Sequence, residues 1–133
     1  MQQFSHPNTV KKESSIPDYL AENLVILFVG INPGKYSISH HYAGPTNKFW
    51  KVLYEAGLVD KQLSFADDSS LVFDYNYGLA NLIRRRTRGI QDLRPDEFKA
   101  AIPDLLWKLE RYQPKIVCLI GICIYDSMRW FLK

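Results

Sequence analysis

Thiols are scarce in this 133-residue chain, with Cys118 and Cys123 its only cysteines. Two thiols cannot hold an iron–sulfur cluster built on four thiolates, nor make a cysteine-only zinc site. Histidine is almost as sparse. His6 stands near the start and His40 and His41 are adjacent, so no His/Cys spacing reads as a metal site. No apolar run reaches the ~18 to 20 residues of a membrane-spanning helix. The opening MQQFSHPNTVKKESS lacks the apolar centre of a secretory signal and reads as a flexible polar tail over residues 1–15. The expectation is one domain over 16–133 in a reduced, intracellular protein, with no metal and no membrane partner. Internal repeats are absent. So are the phosphate-cradling glycine patterns G-x-G-x-x-G and G-x-x-x-x-G-K-[ST].

What is present is a globular composition, 47% hydrophobic and 14% aromatic, with enough length to bury a core. The formal charge of +3 says little by itself, but its distribution is uneven. Arg84, Arg85, Arg86 and Arg88 put four guanidiniums into five positions. A solvated loop is the plain reading of such a run. The sharper one is a loop that contacts phosphates, because the guanidinium fork matches phosphate oxygens.

Three apolar segments read as strands. "NLVILFVG" (23–30) is apolar at both parities, as a strand covered on both faces must be. "YGLANLI" (77–83) is shorter, and "KIVCLIG" (115–121) again reads as doubly buried, with Cys118 a small buried thiol. Between them, "NKFWKVLYEAGL" spaces Phe49, Trp50, Leu53 and Tyr54 as one helical stripe, with Thr46 as N-cap and Gly57 as stop. Aromatics in such a stripe are more often core than part of a cofactor site, and Trp50 reads that way. "RPDEFKAAIPDLLWKLERYQP" opens on Pro95 with Asp96 and Glu97 behind it, as a helix start should, and Pro103 should kink or split the helix near Ala101. "ICIYDSMRWFLK" begins a last helix. Strand and helix in alternation imply parallel strands in a layered α/β sandwich, with a ligand site beyond the carboxyl ends of the strands.

"GINPG" (30–34) stands at such an end. Pro33 holds Asn32 extended, and Gly30 and Gly34 allow a tight turn and close backbone approach. An amide can orient a water through its oxygen but cannot take its proton. It therefore suits a bond that breaks largely by itself and leaves a stable anion, such as the N-glycosidic bond to a uracil-like base, whose charge backbone donors can stabilise. A nearby tyrosine offers a face for an extracted base.

These stretches resemble the mismatch-specific uracil/thymine-DNA glycosylases of the uracil-DNA glycosylase superfamily. "IPDYLAENLVILFVGINPG", "HHYAGPTNKFWKVLYEAGL", "YGLANLIRRRT" and "KLERYQPKIVCLIGICIYD" follow that family in order, over roughly Ile16 to Phe131. The resemblance implies a three-layer α/β/α sandwich with a short parallel sheet. It implies that Asn32 positions the attacking water, that the main chain at Ile31 helps hold the base carbonyls, and that Tyr42 stacks on the flipped pyrimidine beside His41. Asn81 would contact the base edge, and Thr87 would lie near the 5-position of the ring. His40 reads only as exposed polar surface. No metal or organic cofactor is implied, and no lysine is placed for a covalent lyase step.

The implied partner is double-stranded DNA with a mismatched or damaged pyrimidine, besides other repair proteins, and the implied location is the nucleus. The chain departs from the family in two places. The loop from Asn32 to His40 is shorter and carries Lys35-Tyr36 where small or apolar residues are usual. The family's fourth strand and serine-rich second motif have no counterpart before Lys133, so the chain is expected to be C-terminally truncated, lacking the last strand. "KIVCLI" is then expected to become an exposed apolar edge, and base release to be weak or absent. The rival expectations are a catalytically silent DNA- or partner-binding remnant of the fold, and an unrelated α/β enzyme using "GINPG" for a small phosphorylated ligand.

Overall fold

The computed structural model of the protein describes residues 16–132, so the expected polar tail lies outside the described residues. Three strands, β1 (Ile26–Gly30), β2 (Tyr77–Asn81) and β3 (Ile116–Leu119), form an all-parallel sheet of order β2-β1-β3. All five residues of β1 are buried, because helices lie on both faces of the sheet. Ile26 and Phe28 pack towards Trp50 and Leu53 of α1 (Phe49–Glu55) and Leu71 of α2 (Ser70–Tyr75). Leu27 and Val29 pack the other way, with Phe98, Ile102 and Leu105 of α3 (Pro95–Tyr112) and Ile124 of α4 (Ile122–Leu132). This is the three-layer α/β/α arrangement expected from the sequence. Each side chain of that size, fully buried, contributes about 1.5–3 kcal/mol, so β1 anchors both cores at once.

The outer side of β2 is covered. Tyr19 bridges to Leu79 in both directions, N–H to carbonyl at 2.7 Å and carbonyl to N–H at 3.0 Å. The segment is held from α3 as well, where the buried Lys108 ammonium lies 2.5 Å from the buried Asp18 carboxylate and 3.0 Å from Asp104.

Several local expectations need correction. β3 is not buried on both faces: Ile116 is 53% exposed and Val117, Cys118 and Leu119 are half-buried. Among the described residues it forms an exposed edge of the sheet, as expected of "KIVCLI". Pro103 does not split α3, which runs unbroken from Pro95 to Tyr112. Pro103 deprives the Lys99 carbonyl of its helical donor, but both residues are exposed, so water can serve that carbonyl. Ile102 and Leu105 hold the opposite face in the core. Thr46 is not the N-cap of α1. The helix starts at Phe49, whose N–H is taken by Asn47 Oδ1 at 2.9 Å. Gly57 does end that helix, at φ 79°, and Trp50 is buried as expected, while Tyr54 faces solvent. α2 is an addition that the sequence reading lacked, stopped by Asn76 at φ 60°. Among the described residues, no helix is long and apolar enough to cross a membrane.

Candidate active site

The loops that leave β1 and β2 open a cavity of about 460 Å³, where a parallel sheet of this kind is built to hold a ligand. Backbone pairing continues past the strands and locks the two loops together. Leu82 N–H donates to Gly30 and Ile83 N–H to Ile31, both at 2.8 Å, and Thr87 N–H reaches the Pro33 carbonyl at 3.1 Å. Asn32 sits in this clasp. Its Nδ2 donates to the Arg85 carbonyl at 2.8 Å and to Thr87 Oγ1 at 2.9 Å. Thr87 in turn donates its hydroxyl hydrogen to the Gly89 carbonyl at 3.0 Å, so it meets Asn32 with a lone pair.

A carbonyl can only accept, and Thr87 has already spent its hydrogen. The amide is therefore fixed with its NH₂ against the 85–89 loop and its oxygen unspent on the cavity side.

The loop that carries this carbonyl is itself tied down. The Arg85 guanidinium donates to both Glu97 oxygens, at 3.1 and 2.9 Å, and to the Asp92 carbonyl at 2.9 Å. Those Arg85 hydrogen bonds, followed by the Arg94 N–H, hold the Glu97 carboxyl down at about 2. Arg85 is thus committed to the protein. Arg84, Arg86 and Arg88 have no ion pair among the described residues, and of the four arginines Arg88 alone lines the cavity.

Tyr42 is held from several sides. Its backbone is left-handed at φ 55°, the Trp50 indole donates to its carbonyl at 3.2 Å, and its ring stacks on Phe49 with centroids 4.0 Å apart and planes 14° from parallel. The phenol oxygen is buried with no hydrogen-bond partner among the described residues, and burial pushes the phenol up, so it stays neutral. That oxygen and Asn81 Oδ1 both crowd Gly30. A Cβ there would meet them at 2.7 and 2.8 Å, so position 30 has room only for glycine. Gly34 differs, with open space around its missing Cβ. The Asn81 amide has no hydrogen-bond partner among the described residues and remains available to a ligand.

The histidine pair is more deeply integrated than its sequence suggests. His41 is 2% exposed, and its Nε2 must carry hydrogen because it meets the Pro17 carbonyl at 2.8 Å. Burial holds this imidazole below its ordinary value and hence neutral. Asp68, itself buried, takes the His41 N–H at 2.8 Å and lies 3.1 Å from His40 Nδ1. His40 is therefore a partner of a buried carboxylate and not free polar surface.

Ile31, Asn32, His41, Tyr42, Asn81 and Thr87 all line this one cavity. Asp68 and Glu97, which hold its walls, were missed. A single acid beside another acid, as in "ADD", carries no signal of burial. Glu97 was read only as part of a helix start, and nothing in its spacing names Arg85. A second, apolar cavity of about 390 Å³ lies behind Tyr42 and Phe49, against Phe28, Leu53, Cys118 and Ile120. Among the described residues, no cluster of three or more His, Cys, Asp or Glu side chains is arranged to hold a metal ion.

A parallel sheet wrapped on both faces, with an oriented amide just past its first strand and a cavity shared with the second, is consistent with a family match that covers nearly all the described chain. Residues 17–130 match the family model of the uracil DNA glycosylase superfamily, and the chain belongs to that superfamily.

Proposed function

We propose that this protein is a monofunctional DNA glycosylase of base excision repair. It flips uracil out of G·U pairs, with thymine in G·T pairs as the second substrate, and hydrolyses the N-glycosidic bond. The observation that carries this reading is the Asn32 amide, whose NH₂ is consumed by Arg85 and Thr87 and whose oxygen is left to orient a water. An amide oxygen cannot accept a proton for good at neutral pH, so the bond must break ahead of the attack. The sugar then takes on cationic character and the base leaves as an anion spread over its two carbonyls. Main-chain N–H groups near Ile31 and the Asn81 amide, which has no hydrogen-bond partner among the described residues, would stabilise that charge, at the atoms where it develops. The Tyr42 ring, already stacked on Phe49, gives a rigid flat wall for a pyrimidine.

Turnover should be slow. Extracting a base costs a few kcal/mol, and on the β3 side the described residues offer mainly an apolar cavity and an exposed strand edge against DNA. Work in the nucleus beside other repair proteins belongs to the same proposal, and a fluorescent fusion excluded from nuclei would remove it.

The test is single-turnover base release from duplexes holding one G·U or one G·T pair. Asn32→Ala should lower the rate about 100-fold or more, as loss of a positioned reactant does. Release at equal rates from both proteins would sink the mechanism. No release, with salt-sensitive duplex binding intact, would establish the second reading, a silent DNA- or partner-binding member of the superfamily, which the exposed apolar edge of β3 favours.

A further inference from the structure

Tyr36, which lines the Asn32 cavity, and Ile38, two residues further along the same loop, stand out from the surface, 53% and 63% exposed. Ser37 between them is buried, and its Oγ accepts the Ala43 N–H at 3.4 Å. Two tight backbone contacts shape the loop: Ser37 N–H on the Gly34 carbonyl and Ile38 N–H on the Tyr36 carbonyl, both 3.0 Å. The loop is pinned at its centre and presents a large apolar side chain on each side of the pin. Folding gains nothing from that exposure. Lone exposed apolar residues are ordinary and need no explanation, but the placement of this pair is not ordinary.

Tyr36 lines the cavity itself, with its ring edge against Gly44. The Lys35 ammonium lies 5.3 Å from its ring centroid, and Lys35 and Arg88 line the same cavity. An aromatic tip and two cations thus line the cavity a flipped base would enter, with a second exposed apolar side chain two residues along the loop. A nucleotide that leaves a duplex opens a gap in the stack, and proteins that unstack DNA fill such gaps with apolar wedges. Aromatic rings stack on any base, whatever the sequence.

We propose that Tyr36, with Ile38 beside it, enters the base stack at the place the target nucleotide leaves, while Lys35 and Arg88 take flanking phosphates. This rests on the reading of duplex DNA as substrate and deepens it, because it gives the protein its own means of holding the gap open. The contribution is to extraction and not to bond cleavage.

The experiment uses the full chain and a duplex with 2-aminopurine next to a G·U pair, since that base brightens when its neighbour unstacks. Saturating protein should raise the fluorescence. Tyr36→Phe should keep the rise, Tyr36→Ala should abolish most of it, and Ile38→Ala should reduce it less. In base release by the same proteins, Tyr36→Ala should lose about tenfold more on duplex than on single-stranded substrate. An undiminished rise in Tyr36→Ala would overturn the proposal. So would equal losses on duplex and single strand, which would put Tyr36 against the base inside the cavity. Fluorescence rise without base release would sink the glycosylase reading and leave the insertion standing. Base release without a rise would do the reverse, and failure to bind duplex would overturn both.

Discussion

The two edges of the sheet are built differently. Along β2, Tyr19 closes both hydrogen bonds to Leu79, and Asp18 is locked beneath to Lys108, which also pairs with Asp104. Along β3, Ile116 and Ile120 turn their N–H groups inward to Val25 and Val29. By the alternation of a strand, Val117 and Leu119 turn theirs outward, where no strand among the described residues receives them. The cavity draws on the covered side. Asn81 and Thr87 come from the chain that leaves β2, and His41 is fastened to Pro17, next to the segment that covers β2. The open side contributes Ile120 to the cavity wall and a separate apolar hollow. The cavity is thus supported by the covered edge, while the open one is suited to association.

The sharpest test of that contrast is Lys108→Ala. It leaves Asp18 buried and unpaired, and should cost about 3–5 kcal/mol in a denaturant titration. A loss under about 1 kcal/mol would mean that the covered edge does not depend on this pair. Next comes Gly30→Ala, at the end of the central strand. Its Cβ must displace the Tyr42 phenol or the Asn81 amide, so base release should fall by up to about 100-fold, with a loss of about 1–3 kcal/mol in stability from overpacking. An unchanged rate would free the cavity from its dependence on β2.

On the open edge, Ile116→Lys should alter stability by no more than ~0.5 kcal/mol. It should, however, lower self-association in sedimentation runs at rising concentration, because edge lysines block strand pairing. A large destabilisation would show Ile116 to be core after all.

The smallest effect is in acid. Glu97 is depressed from 4.5 to about 2, first by its hydrogen bonds from Arg85. A depressed carboxylate adds stability that is fully present above its unfolded value, so this contribution holds above pH 4.5 and disappears as pH falls towards 2. Carboxyl NMR should place the Glu97 midpoint in that low range, and a midpoint near 4.5 would mean that the clasp is not formed in solution.

The central strand was legible in the sequence because burial on both faces leaves no polar position, and "VILFVG" has none. The residues gathered at the cavity were legible through their resemblance to a family, since Asn32 and Thr87 lie too far apart in the chain for spacing to pair them. What could not be read was which polar groups the fold would consume. Arg85 looked like its neighbours in the arginine run, yet it is tied to Glu97 by two hydrogen bonds. His40 looked solvated until Asp68 was seen beside it. β3 looked doubly buried because its composition is that of a central strand, and composition does not reveal whether a neighbour is present. Pro103 misled in the other direction. A missing hydrogen bond on a wet helix face is cheap, and the sequence does not say which face is wet.

The Arg85 carbonyl also decides what position 32 can become. A carboxylate is the stronger base, and a single nucleotide change converts an asparagine codon into an aspartate codon. Yet an aspartate there would turn an oxygen towards a carbonyl that also has no hydrogen to give. It would have to stay protonated, forfeiting its basicity, or swing away from the water it should activate. Installing a carboxylate mechanism here would require rebuilding the 85–89 loop in the same step, so the single substitution is closed off by the loop's own geometry.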